Sequence, residues 1–134
     1  MPLVTRIFLF SAFMWLLISL GLDAAVSAGR AGMLPALPLS GVTTLHGIVF
    51  GWITQMIFGV AWWMFPPASR QNARPLGSLA WISYGAMNGG LALRFIFESW
   101  QVQERALFLV ISAALQALAF MAYAPAILPR IKVR

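Results

Sequence analysis

The chain contains no cysteine. That absence removes disulfides, thiolate nucleophiles, iron–sulfur clusters and Cys-bound zinc together. Histidine occurs once, at His46, so a single protomer cannot build a multi-histidine metal centre. Charge is scarce as well: 9% of the 134 residues are charged, and 61% are hydrophobic. Soluble domains carry about 25% charged residues, so the expected solvent is lipid. Acidic residues are the rarest charge, three against nine Lys and Arg, which leaves a net charge of +6. The basic residues lie in short links and in the C-terminal tail. No basic face is interleaved with aromatics, so a nucleic-acid partner is not expected. Neither G-x-S-x-G, H-E-x-x-H nor a phosphate loop occurs. Glu98 and Glu104 fall in what reads as a solvated link, which leaves no carboxylate pair for acid–base work. The seven methionines are scattered and read as packing residues rather than a copper path.

What is present is a series of apolar runs. A membrane-crossing helix needs about 20 mostly apolar residues. Four stretches meet that length, at roughly 6–27, 42–65, 76–97 and 105–128. The links between them are short and rich in Pro, Gly or charge. Links of this length make consecutive helices antiparallel neighbours. The expected fold is a single all-α domain over 1–134: four transmembrane helices, up-down-up-down.

Orientation follows from the cations. One side would carry Arg6, Arg70, Arg74, Arg130, Lys132 and Arg134; the other, Arg30, Arg105 and Arg94 just inside the third span. The positive-inside rule then puts both termini in the cytoplasm. Trp62 and Trp63 near one edge and Trp100 near the other read as an aromatic belt. The first segment shares features with a secretory signal, Arg6 before an apolar run and Val26-Ser27-Ala28 as a small-residue site. Asp23 near the end of that run argues against cleavage, and the segment is kept as a span.

With 1.5 Å of rise per residue, His46, Arg94 and Asp23 each fall about 5–6 Å inside the outer boundary. Three separate spans thus place an ionisable residue in one layer. An ionisable group inside a membrane span is expensive and marks a candidate site. The residues alone leave more than one role open. Asp23 and Arg94 can neutralise each other, Arg94 can snorkel to the headgroups, and His46 can be a ligand or a hydrogen-bonded packing residue. Gln55 and Gln116 fall near mid-bilayer, where an interhelical hydrogen bond is expected rather than a proton path. Asn88 with Gly89 and Gly90 offers a similar bond and a close approach to another backbone or a flat ligand. Gly47 and Gly51 form a GxxxG motif, the usual mark of close helix packing.

The run His46-Gly-Ile-Val-Phe-Gly51-Trp52, followed by Ile57-Phe58-Gly59 and Trp62-Trp63-Met-Phe-Pro66, resembles helix II of the haem–copper oxidase catalytic subunit. It is closest to the branch holding the high-affinity cytochrome oxidases and nitric oxide reductases. Asn88-Gly-Gly-Leu-Ala-Leu-Arg94 is similar, less specifically, to the next helix. The resemblance covers two to three spans of a family whose catalytic subunit has about twelve helices. It implies that His46 is an axial ligand of haem b iron, with Gly47, Phe50 and Gly51 beside the macrocycle. Arg94 would pair with a propionate and Asp23 would orient His46 or Arg94. The family's remaining haem ligands and its copper histidines have no counterpart, so an oxygen-reducing centre is not expected.

The expected function is that of a small membrane b-type cytochrome, working in electron transfer or haem-based sensing rather than as an enzyme by itself. The expected setting is a bacterial or archaeal cytoplasmic membrane, with an electron-transfer partner. Alternatives are a haem-free accessory subunit of a respiratory membrane complex, or a channel or transporter component whose vestibule holds Asp23, His46 and Arg94. One histidine per chain allows bis-His ligation only across a homodimer; a homotrimer would instead reproduce twelve helices. Both oligomers stay open at this point.

Overall fold

Lipid cannot satisfy backbone N–H and C=O groups, so a chain this apolar must satisfy them within each segment, as helices do. The computed structural model describes residues 1–35, 41–65, 73–99 and 105–131, the backbone alone at 73–76 and 99. These residues form four helices with no strand among them: α1 (Leu3–Arg30), α2 (Gly41–Met64), α3 (Ala73–Ser99) and α4 (Arg105–Ile131). Arg70, Trp100, Glu104, Lys132 and Arg134 lie outside the described residues. At 1.5 Å per residue even the shortest helix, α2, reaches about 36 Å, more than the roughly 30 Å hydrocarbon core. Three helices, α1, α2 and α4, are long and apolar enough to cross a membrane. α3 is as long as α4 but is interrupted by Asn88, Arg94 and Glu98.

α1 stops in a Schellman turn. Met33 N–H bonds Ala28 O at 2.9 Å and Gly32 N–H bonds Gly29 O at 3.1 Å, with Gly32 at φ +73°. That left-handed position suits glycine, which has no Cβ to clash. The helices run a few residues past the expected spans at α1, α3 and α4. One extension matters: α3 continues to Ser99, so Glu98 sits in its last turn and not in a solvated link.

Contacts pair successive helices in reverse order. Phe8 of α1 meets Phe58 of α2, while Ser19 faces Gly47. Phe97 of α3 stacks on Phe108 of α4, while Gly90 faces Ser112. Neighbours are therefore antiparallel. α2 crosses the α3–α4 hairpin obliquely. Its first part, residues 41–54, lies against α3, and its second, Gln55–Met64, against α4. The core sits around Phe8, Phe58, Trp62, Met87, Leu91 and Tyr123. Phe58 and Tyr123 stack at 3.8 Å and Tyr123 Oη donates to Phe58 O at 2.6 Å. Large apolar side chains such as Phe10, Leu17, Val110 and Met121 cover the outside, as a lipid-facing surface requires.

Gly47–Thr54 is a π-helix. An i, i+4 series on an α-helix drifts about 40° per step around the axis; the wider π turn shifts the same step the other way and so offsets the drift of the α-helical turns beside it. The consequence is that Gly47, Gly51, Gln55 and Gly59 are all buried along one side of α2. Thr54 Oγ1 donates to Val49 O at 2.8 Å, tying one of the carbonyls of this wide turn. A Cβ on Gly51 would lie 2.6 Å from Trp15 Cβ, and a Cβ on Gly47 would overlap Ser19 Oγ and come within 2.7 Å of Phe95. The GxxxG motif is thus a helix-packing device, and the space beside it is filled by α1 and Phe95. Trp15 cannot swing away, because its Nε1–H is held by Asn88 Oδ1 at 2.7 Å. Gly51→Val is expected to cost about 1–3 kcal/mol through overpacking. Gly85→Ala, where a Cβ meets nothing within 4 Å, should be neutral or stabilising by up to about 1 kcal/mol. Unfolding midpoints in detergent separate the two; equal midpoints would contradict the packing assignment.

Of the two central glutamines, one makes the interhelical bond expected of them. Gln55 bonds Asn88, not Gln116, through two contacts at 3.2 and 3.3 Å. Gln116 instead approaches Ser112 on its own helix at 3.4 Å. The oblique crossing explains the exchange: α2 reaches α4 only below the level of Gln116. Asn88 Nδ2 also donates to Tyr84 O at 2.9 Å, and the Tyr84 hydroxyl meets Ser11 Oγ at 2.7 Å. Gly90 does allow a close backbone approach, since its Cβ would stand 2.9 Å from Ser112 O.

Candidate functional site

His46 ends the first α-helical stretch of α2, immediately before the π-helix. Its Nδ1 lies 2.8 Å from Val42 O. A carbonyl only accepts, so this contact takes a proton on Nδ1 and leaves Nε2 as the nitrogen that can serve as a donor atom to a metal in the neutral tautomer. The Phe50 ring stacks on the imidazole at 5.3 Å and 25°. Val42 and Phe50, one turn before and one turn after, therefore fix the ring from within α2 itself. Nε2 has no protein partner among the described residues, and the side chain is half-buried. This is the arrangement found around metal-binding imidazoles, one nitrogen held by a backbone carbonyl and the other free.

Arg94 is at the same level. Phe95, its neighbour on α3, packs against Gly47 and against Trp15 at 5.0 Å. The charge partner of Arg94 is Glu98, one turn on, at 3.5 Å with both side chains 15% exposed. Arg94 Nε is buried with no hydrogen-bond partner. Asp23 stands one turn beyond Ser19 on α1, is exposed, and makes no ion pair among the described residues. Both jobs expected of it are held by other groups: Val42 O orients His46, and Glu98 balances Arg94.

The oblique course of α2 opens a wedge. The backbone of residues 41–54 stays away from α4, which this part of α2 reaches through the Phe50 ring, while the backbones meet through Gln55–Met64. Aromatic rings close the bottom of the wedge, with Phe120 edge-on to Phe50 at 6.1 Å and to Phe58 at 5.4 Å. Seven residues before Phe120 on the same face of α4 is Ala113, with Ala117 between. Both are exposed, as is Val110. His46 lies one turn before Phe50 on α2, and Ala117 and Ala113 lie one and two turns before Phe120 on α4. Arg94 and Glu98 stand on α3, the helix that bridges the two walls.

Towards the opposite end of the bundle Arg130 joins α4 to α2. Arg130 is 7% exposed; its Nη1 donates to Phe65 O at 3.1 Å and Trp62 O at 3.4 Å, and its guanidinium lies 3.4 Å from the Trp62 ring centroid. It caps the C-terminus of α2, where carbonyls and the helix dipole favour a cation. Sequence reasoning counted Arg130 as a tail charge and Trp62 as part of an interfacial belt. Both are buried, and of the adjacent pair only Trp63 is exposed. The readable signal was the stripe Phe120, Tyr123, Ile127, Arg130, which puts Arg130 on the apolar face of α4.

No group of three or more His, Asp or Glu is gathered among the described residues. A bare metal ion would find too few ligands. A tetrapyrrole brings four equatorial nitrogens of its own and needs only one or two axial donors, which a lone histidine can supply. Of the donors such a group would use, His46 Nε2 has no partner among the described residues and Arg94 Nε is buried without a hydrogen-bond partner. Comparison with known proteins returned no matching family model, no matching curated protein and no matching solved structure.

Proposed function

We propose that this protein is a small membrane b-type cytochrome that holds haem through His46. The observation that carries this reading is the His46 imidazole, held at Nδ1 by Val42 O and without a partner at Nε2 among the described residues. Val42 O keeps the imidazole oriented and Phe50 restricts its rotation. Arg94 Nε would take a propionate oxygen beside Glu98, a charge-assisted contact that adds geometric definition. Ala113 and Ala117, small side chains on the α4 face that carries Phe120, would crowd a flat group least, and the Phe50–Phe120 contact would lie beneath it. Bound haem supplies a one-electron couple, and burial with a single imidazole donor tunes it.

In the proposed arrangement α3 crosses the bilayer with the other three helices, both termini are cytoplasmic, and the His46 end is outermost. The cation distribution and the likeness of the His46 run to the oxidase helix support this placement. The membrane would be bacterial or archaeal, the cofactor haem b, and the job electron transfer to a partner or haem-based sensing, in a homo-oligomer. A channel is disfavoured by the aromatic packing of Phe8, Phe58, Tyr84 and Tyr123 across the bundle centre.

The test is an absorption spectrum of protein purified from haem-sufficient cells, and again after loading with hemin in lipid nanodiscs. A Soret band at about one haem per chain is expected. A protein that stays colourless under both conditions is not a cytochrome.

A further inference from the structure

The three acidic side chains of the chain belong to one end of the bundle. Asp23 lies about 25 Å along α1 from Arg6, Glu98 is in the last turn of α3, and Glu104 immediately precedes Arg105, where α4 starts. The opposite end, where α1 begins, has no Asp or Glu to balance its cations. Arg130 at that end is engaged by the α2 carbonyls and the Trp62 ring. Arg6 has no such arrangement: its side chain is exposed and makes no ion pair among the described residues. Its position does not serve α1 either, since a cation near a helix N-terminus opposes the helix dipole.

Arg6 borders an open cavity of about 340 Å³ on the outer side of α1, lined also by Leu3, Ile7 and Phe10. Their spacing puts the four side chains on one face of the helix, while Thr5, Phe8 and Ala12 turn into the bundle. Leu3 and Phe10 are 61% and 69% exposed, so no described helix covers this face. We infer that the groove holds one anionic phospholipid, with its phosphate on Arg6 and an acyl chain along Ile7 and Phe10. The order of side chains along α1 is that of the lipid itself. Helical side chains lean towards the N-terminus, so the Arg6 guanidinium reaches back to the membrane boundary. Ile7 and Phe10 start about 1.5 and 6 Å deeper, on the side of the acyl chains. A guanidinium takes phosphate oxygens in pairs, which defines the headgroup position. A free phosphate would gain nothing from three apolar walls. A zwitterionic lipid would bring its cationic group to an end with no carboxylate to receive it. The volume is at the lower end of ligand-sized clefts and suits a segment of one chain. Nothing in this site involves His46 or a bound haem.

Native mass spectrometry is the test. Full-length protein in detergent is given equal amounts of phosphatidylglycerol and phosphatidylcholine, and the retained lipids are counted. One phosphatidylglycerol per chain is expected, retained about fivefold over phosphatidylcholine, the factor that one basic residue near an anionic headgroup confers. Arg6→Gln should abolish the preference, and Arg6→Lys should keep most of it. Phe10→Ala should weaken retention of both lipids and leave their ratio unchanged. Arg105→Gln removes the same charge at the other end and should have no effect. Circular dichroism checks that each variant keeps its helices, as the exposure of the three side chains predicts. Equal retention of the two lipids by the wild type would overturn the inference. So would a loss in Arg105→Gln equal to that in Arg6→Gln, because the preference would then follow net charge and not this groove. Displacement of the lipid by inorganic phosphate at constant ionic strength, with no effect of Phe10→Ala, would overturn it too, by making Arg6 a phosphate contact without the groove.

Discussion

His46→Ala is expected to abolish haem retention while leaving the helical fold in place. Among the described residues the imidazole bonds Val42 O of its own helix and stacks on Phe50. Its removal therefore breaks no hydrogen bond or ring contact between described helices, and α2 keeps its backbone hydrogen bonds. Far-UV circular dichroism and the unfolding midpoint in detergent should move little. Haem retention should fall by far more than the roughly 10–100-fold that loss of an orienting group costs a metal site, because the donor itself is gone. His46→Gly leaves a gap of imidazole size beside Phe50, and added imidazole is expected to restore the Soret band. Full retention of haem by the alanine variant would exclude His46 as the ligand, whatever holds the group instead.

The two nitrogens of His46 separate cause from consequence here. Nδ1 is engaged by the turn that begins α2, and the π-helix starts at the next residue. The π segment keeps the glycine stripe against α1 and so lets α2 cross from α3 to α4. One irregularity in a single helix thus accompanies both the tight α1–α2 packing at Gly47 and Gly51 and the course of α2 from α3 towards α4. Wide turns of this kind cluster at functional sites because an α-helix cannot place both features in register.

The helices themselves were legible in the sequence. Hydropathy and short links predict four helices close to their observed bounds, because a chain in lipid must close its own backbone bonds. The shared level of His46 and Arg94 was legible too, since rise per residue converts position into depth. What escaped was lateral. Gln55 finds Asn88, Arg94 finds Glu98, and Arg130 caps α2, each because of which helix lies beside which and at what angle. A periodic pattern shows which face of a helix is apolar; it does not show which neighbour that face meets. The crossing angle depends on a π segment whose only written trace is the four-residue repeat Gly47, Gly51, Gln55, Gly59. Asp23 shows the converse. Depth placed it in the right layer, but it points outside the protomer and takes neither role expected of it.

Asn88→Ala is expected to destabilise the bundle more than any other single polar deletion in its centre. The Asn88 amide uses its full capacity: Oδ1 accepts from Trp15 Nε1 at 2.7 Å and Gln55 Nε2 at 3.2 Å, while Nδ2 donates to Gln55 Oε1 and Tyr84 O. Removing it strands the Trp15 indole N–H and both ends of the fully buried Gln55 amide. Each stranded buried group costs about 1–3 kcal/mol, but an unfolded chain in a membrane also finds partners, which brings typical interhelical bonds down to about 0.6–2 kcal/mol. A loss of about 2–4 kcal/mol follows for three stranded groups. Gln116→Ala is the comparison, because its amide makes one long bond within its own helix and its loss should cost less than about 1 kcal/mol from that bond. The mechanism has a second signature. With Asn88 gone, Trp15 is free to rotate off Gly51, so Gly51→Val should cost less in the Asn88→Ala background than alone. Reversible unfolding in bilayers, run as a double-mutant cycle, measures both quantities. Strict additivity of the two substitutions would mean that Asn88 does not hold Trp15 in place, and that α1 and α2 are locked by packing alone.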